Sequence, residues 1–203
     1  VLAIFGVTAF LSMWISNTAT AAMMLPLALG MMDHLDREKE RKTFVFVLLG
    51  IAYCASIGGL GTIVGSPPNA IAAKALELDF VGWMKMGLPM MLLILPLMLI
   101  SLYIILRPNL SERVEVKEEH IPWTLHRVLA MLIFLCAVVA WILGDKIKTV
   151  FGITNPDTVV ALAAAVAVGV FGVTRWKEIA RNTDWGALLL FGGGIALRKK
   201  KKK

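Results

Sequence analysis

The sequence predicts an all-α polytopic membrane protein built around a re-entrant helical hairpin and a broken transmembrane helix, and three observations lead there. Of the 203 residues, 58% are hydrophobic, above the ~45–50% of soluble domains, and the mean hydropathy is +0.77. The apolar residues run in long charge-free stretches separated by short mixed-charge ones. Two of those stretches have the wrong length for a membrane span and carry polar or helix-breaking residues at their middles.

A helical span takes about 20 apolar residues. Residues 1–32 contain no charged side chain; at about 1.5 Å per residue they are too long for one crossing and too short for two. Dividing them at Ser16–Thr18 leaves two arms of about 15 residues, the length of a re-entrant hairpin that enters and leaves by one face. After the charged connection "DHLDREKERKT" (33–43), residues 44–76 are again about one and a half spans long. Gly58, Gly59, Gly61, Gly65, Pro67 and Pro68 gather in the middle of that stretch and oppose a regular helix. It therefore reads as a broken helix, with one arm to about Ser56, an unwound linker, and a second arm from about Asn69. Residues 86–106, kinked at Pro89 and Pro96, then 124–143 and 158–174 read as further spans. Residues 144–157 read as a short connection, and "DWGALLLFGGGIAL" opens an element that the chain does not finish.

Lysine and arginine counts set the orientation. The connections 33–42, 107–127 and 175–184 carry four, four and three, whereas the alternate ones carry Lys74 with Lys85 and Lys146 with Lys148. The first group is expected on the cytoplasmic side of an inner membrane, so the hairpin tip enters from the cytoplasm. Trp83, Trp123, Trp141, Trp176 and Trp185 fall near the expected span ends, as interfacial tryptophans do; Trp14 does not.

The formal charge of +7 is misleading, since Arg198 and Lys199 to Lys203 supply six of the 21 basic residues against 14 acidic ones. That basic run reads as an added tail, the other reading being a juxtamembrane anchor to anionic lipid, and no recognition motif supports nucleic-acid binding. The opening Val1, with no basic leader or cleavage site, reads as the interior of a longer chain rather than a signal peptide. Cys54 and Cys136 lie in separate apolar stretches, and His34, His120 and His126 lie in or beside charged connections. Neither a disulfide framework nor a zinc site follows, and no span holds an acid, base or paired nucleophile for an enzyme.

Irregular backbone at membrane depth survives only where protein or a water-filled cavity covers it. The "SNT" tip and the "GGLGTIVGSPPN" linker are two such irregularities, and bringing them together satisfies both. The helix N-termini beginning after Thr18 and near Asn69 offer N–H groups to an anion. Carbonyls of the linker and the Ser, Asn and Thr oxygens suit a hard cation such as sodium. Discontinuous helices around a midplane site are a transporter feature. The bland readings are that "GTIVG" (61–65) is a GxxxG helix-packing motif and that Thr8, Ser12 and Thr20 bond back to the preceding turn. Asn17 resists such a reading, because an amide in hydrocarbon needs several partners. Asn69 is functional or caps the linker.

"SNTATAAMMLPLAL", followed by "GTIVGSPPNAIA" and then "DWGALLLFGGGIAL", closely resembles the divalent-anion/sodium symporter family, in particular its INDY-type dicarboxylate transporters, over residues 1–197. The resemblance implies an inverted repeat in which each half supplies one SNT-bearing hairpin and one broken helix; this chain carries the first pair. It implies that Ser12, Ser16, Asn17 and Gly65 ligate a sodium ion and that Asn17, Thr18 and Ser66 contact a substrate carboxylate. It places residues 1–85 in a moving transport domain (hairpin 1–32, broken helix 44–76) and 86–174 in scaffold and connecting helices. Residues 175–197 then begin the second repeat, and 198–203 are the tail. The implied activity is sodium-coupled symport of a C4-dicarboxylate such as succinate by a homodimer in membrane lipid. In this picture Gly65 brings a bare carbonyl close, and Pro67 and Pro68 keep the linker extended. Alternatives are transport of sulfate or citrate, or a non-transporting membrane assembly protein whose glycines only pack helices.

Overall fold

Hydrocarbon offers no hydrogen-bond partner, so an apolar chain must pair its backbone internally, and every regular element among the described residues is an α-helix. The computed structural model describes residues 1–33, 35–109, 124–152 and 155–172, with Lys177, Ala180, Arg181, Trp185, Gly186 and Leu189. In chain order the helices are α1 (Leu2–Ser12), α2 (Asn17–Met31), α3 (Arg41–Gly58), α4 (Pro67–Ala75), α5 (Phe80–Leu106), α6 (Leu125–Ile142), α7 (Gly144–Phe151) and α8 (Pro156–Val170). Contacts divide them into two units, residues 1–120 and 121–203.

In the first unit, α1 and α2 form the helix–turn–helix expected of residues 1–32. At 11 and 15 residues the arms are about 16 and 22 Å long, each short of a ~30 Å hydrocarbon core. Both pack on α3. Their shared core contains Phe5 and Ala9 of α1, Met24 and Ala28 of α2, and Val47, Ile51 and Cys54 of α3. Two glycines of α3 permit the close approach. Gly50 lies under the Phe5 ring, and a Cβ on Gly58 would overlap the backbone of Ala9. Phe46 then bridges outward, edge-on to Phe5 at 5.6 Å and to Tyr103 of α5 at 6.3 Å.

α3 and α5 run antiparallel. At one end the Asn109 N–H donates to Thr43 Oγ1 (3.1 Å), its Nδ2 to Glu40 Oε1 (3.3 Å), and Thr43 Oγ1 to Glu40 Oε2 (2.9 Å). The start of α3 and the end of α5 therefore share one side, as the basic-residue counts require. Most of the 107–127 connection, Trp123 and Trp176, and the "DWGALLLFGGGIAL" stretch apart from Trp185, Gly186 and Leu189, lie outside the described residues.

The broken helix is present, with its boundaries moved. α3 runs to Gly58 and α4 begins at Pro67. Pro67 and Pro68 do not keep the linker extended; they occupy the first turn of α4, where a fixed φ and a missing N–H cost nothing. Ser66 is the extended residue before them (φ −148°, ψ 135°). α5 starts at Phe80, six residues before the expected span, because the Asp79 carboxylate caps it by accepting the Gly82 N–H at 2.7 Å. Lys85 had marked the expected start, yet a lysine on a helix does not end it. α5 presents Leu92, Leu93, Leu97, Ile100 and Ile104 outward, a face fit for lipid or further helices.

In the second unit α6 packs on α8, and the Trp141 indole donates to the Asp157 carbonyl at 3.1 Å. The stretch 144–157 is more than a connection, since α7 fills Gly144–Phe151. Its apolar and charged residues alternate with helical period, a pattern hidden when the stretch is sorted by charge alone. α3, α5 and α6 are long and apolar enough to cross a membrane.

Candidate functional site

The turn between α1 and α2, residues 13–16, meets the linker between α3 and α4, residues 59–66. Local chemistry shapes both. Ser16 caps α2, its hydroxyl accepting the Ala19 N–H at 3.3 Å, which fixes where the hairpin reverses. The linker is organised by two side chains. Thr62, fully buried, donates its hydroxyl proton to the Met13 carbonyl and accepts the N–H groups of Val64 (3.2 Å) and Gly65 (3.1 Å). Asn69, on the first turn of α4, donates from Nδ2 to the carbonyls of Gly59 (2.7 Å) and Thr62 (2.8 Å). The Trp83 indole donates to the Leu60 carbonyl at 3.0 Å, so this tryptophan holds the linker from α5. Gly87 lets the linker lie against α5, since a Cβ there would fall 2.5 Å from the Leu60 oxygen. Gly87 is about 10 Å along α5 from its start, so the linker packs on the side of α5 near that end.

At this junction Ser12, Asn17, Gly59 and Gly65 converge. Ser12 is fully buried at the last turn of α1. Its Oγ lies 2.9 Å from Asn17 Oδ1 and 2.5 Å from the Ala55 carbonyl oxygen. A serine hydroxyl has one proton and donates to one of these. Whichever of them takes the proton, the oxygens of Ser12, Asn17 and Ala55 lie together, a group of neutral oxygens that a small cation can join. The Asn17 amide rests on Gly59, where any Cβ would collide with it. A Cβ on Gly65 would come within 2.6 Å of the Gly59 carbonyl oxygen and 2.8 Å of that of Ser12. The donor set is thus neutral oxygen throughout, and His, Cys, Asp or Glu groups fit to hold a metal are absent among the described residues. Such a set fits a hard monovalent cation such as sodium, whose single charge needs no carboxylate.

Of the residues singled out from sequence, the structure brings Ser12, Asn17 and Gly65 together. Ser16 is exposed and engaged as a helix cap; Thr18 is exposed on the first turn of α2 and Ser66 half-buried before α4. No hydrogen bond joins Thr18 or Ser66 to the cluster. The α4 N-terminus departs from expectation. Its first two residues are prolines without N–H, and the Asn69 N–H bonds to the Ser66 carbonyl at 3.0 Å. Donors to an anion must therefore come from side chains and from α2. "GTIVG" is not a helix-packing motif, because Gly61 and Gly65 lie in the unwound linker, one on Met13 and Met91 and the other on backbone. Thr8 is structural as expected, bonding to the Ile4 carbonyl at 2.6 Å; Ser12 instead reaches across to α3. Thr62 was missed, for a threonine inside an apparent GxxxG gives no sign that it braces two loops.

The brace predicts its own deletion phenotype. Thr62→Val leaves the Met13 carbonyl and two linker N–H groups without their partner, each unmet group costing about 1–3 kcal/mol. The thermal unfolding midpoint of the full-length protein in detergent should fall by several degrees, and Thr62→Ser should restore most of it. A wild-type midpoint for Thr62→Val counts against the brace.

Comparison with known proteins agrees with this arrangement. The sequence model of the citrate transporter family matches residues 1–199. The chain belongs to the citrate transporter family. Similar proteins include an uncharacterized transporter of Haemophilus influenzae, 52% identical over 97% of this chain and 44% of that protein. Another, from Methanocaldococcus jannaschii, is 37% identical over 93% of this chain and 42% of its own length. The sodium-dependent dicarboxylate transporter SdcS of Staphylococcus saprophyticus is 30% identical over 95% of this chain and 43% of its own. The chain thus spans under half the length of the curated relatives it matches. These relatives are transporters and not enzymes. Membership of the citrate transporter family, with several apolar helices, makes the chain part of a multi-pass protein of the inner membrane. The motif-based resemblance to sodium-coupled anion symporters is borne out at the level of family.

Proposed function

We propose that the chain supplies one half-site of a sodium-coupled symporter for C4-dicarboxylates such as succinate, working by alternating access. The observation that carries this is the gathering of Ser12 Oγ with Asn17 Oδ1 at 2.9 Å and with the Ala55 carbonyl oxygen at 2.5 Å, beside the unwound linker between α3 and α4. Sodium is a co-substrate in this scheme. Ser12, Asn17 and Gly65 hold it, Ser16 fixes the turn and adds an oxygen, and the ion's charge lowers the cost of admitting an anion to a dry site. The Asn17 amide offers its oxygen to the cation and its NH2 to the anion, so the occupied cation site orients the anion donor. Thr18 and Ser66, on the open edges of the two turns, complete the contacts to one carboxylate. The second carboxylate is met by the other half of a homodimer-forming protein with an inverted repeat. The name of the staphylococcal relative supports sodium and dicarboxylate; the family name supports a citrate-sized anion as the second reading.

The test is uptake of labelled succinate by the full-length protein in proteoliposomes under an inward sodium gradient, with potassium replacing sodium in the control. Sodium-dependent accumulation, inhibited by excess malate but not by sulfate, is expected. Uptake inhibited by citrate alone favours the second reading. No sodium-driven uptake of any of these anions overturns both.

A further inference from the structure

Thr20 is fully buried, and its hydroxyl has no hydrogen-bond partner. The same unit shows what such a group ordinarily does. Thr8 and Ser56 bond to the carbonyls four residues earlier, at 2.6 and 3.0 Å. Thr20 has the equivalent carbonyl at hand, since its own N–H bonds to the Ser16 oxygen at 2.9 Å, yet its hydroxyl does not use it. A dry, unmet hydroxyl is costly, and valine fills the same volume without that cost. The oxygen therefore has a use that α2 alone does not supply.

Its position says what that use is. Thr20 stands three residues after Asn17, on the same face of α2, with Cβ atoms of such a pair about 5–6 Å apart. That face continues through Met24 and Ala28, both buried in the core shared with α1 and α3. About one turn back along α2 is Asn17, whose Oδ1 lies 2.9 Å from Ser12 Oγ, beside Ala55 of α3 and Gly59 of the linker. We infer that the Thr20 hydroxyl is a further oxygen ligand of the cation held between Ser12 and Asn17. This rests on the sodium site proposed above and extends it inward, from the half-exposed Asn17 to a group that water does not reach. Thr20 then gains its partner only when the ion is in place, so its desolvation cost is carried by the ion-free state and biases the site toward occupancy.

The test needs no transport assay. Thermal unfolding of the purified full-length protein in detergent is followed while sodium chloride replaces choline chloride at constant ionic strength. Thr20→Val should raise the half-saturating sodium concentration about tenfold, the effect of losing one bond to a charged group, whereas Thr20→Ser should stay within about twofold of the parent. In choline alone Thr20→Val should be at least as stable as the parent. A parental sodium curve for Thr20→Val overturns the inference, because the hydroxyl is then only filling space. If that variant does not fold, Thr20→Ala gives the same comparison. Asn17→Ala, run alongside, separates the two levels. Loss of the sodium response in Asn17→Ala with a parental curve for Thr20→Val removes only the Thr20 role; parental curves for both remove the sodium site as well.

Discussion

Replacing Asn17 by alanine in the full-length protein is expected to lower sodium-dependent uptake of succinate at least about a hundredfold, the equivalent of about 3 kcal/mol. Two losses combine. The variant removes Oδ1, 2.9 Å from Ser12 Oγ, and with it the second of the paired oxygens. It also removes the NH2 group, the side-chain donor best placed to meet a carboxylate beside α2. Each bond between a neutral group and a charged partner is worth about 1.5–3 kcal/mol. Folding should suffer little, because Asn17 is half-exposed and rests on Gly59, where alanine fits easily. Asn17→Asp is the sharper companion: it keeps an oxygen for the cation and turns the anion donor into an acceptor. Sodium-dependent stabilisation should survive in Asn17→Asp while uptake is lost. Parental uptake by Asn17→Ala would place the site elsewhere.

The second large effect is structural. Gly58→Ala should destabilise the protein by about 3 kcal/mol or more, at or beyond the upper end of overpacking costs, and lower its yield in folded form. A Cβ at Gly58 overlaps the carbonyl and Cα of Ala9. Those atoms are backbone, so no rotamer change relieves the clash, and α1 must shift away from α3. Such a shift separates Ser12 from Ala55, one turn from the clash on each helix. Gly6→Ala is the matched control, since nothing lies within 4 Å of the added carbon. Size-exclusion profiles and thermal midpoints of the two variants in detergent make the comparison. Equal stability would mean that α1 and α3 are not held at this distance.

Length and charge, with the polar turn at Ser16–Thr18 and the cluster of glycines and prolines, were enough to read the helix–turn–helix and the broken helix, because a membrane limits which lengths are admissible. Residues 1–32 could be neither one span nor two, and the glycines and prolines between Gly58 and Pro68 called for a break, which falls at residues 59–66. Finer boundaries depended on caps. Asp79 started α5 early, and Pro67 and Pro68 joined α4 because a proline is at ease in a first turn. α7 was hidden because charge was used as the mark of a connection. In the site, Ser12, Asn17 and Gly65 were legible from motif and do converge. Thr62 was not, since its role depends on a carbonyl 49 residues away. Thr20 could not be told apart from Thr8 by sequence; only the contrast between a satisfied and an unsatisfied hydroxyl separates them.

The linker's bonding has a consequence for motion. Thr62 ties it to the hairpin turn, Asn69 ties it to α4, and Trp83 ties it to α5. A flexible strap would leave some of its polar groups to water; here side chains of the protein take up the Gly59, Leu60 and Thr62 carbonyls and the Val64 and Gly65 amides. The unwound segment is therefore stiff. It cannot open like a flap without breaking several of these bonds at once. In the alternating access proposed above, turn and linker would travel as one piece, with the sliding surface outside them.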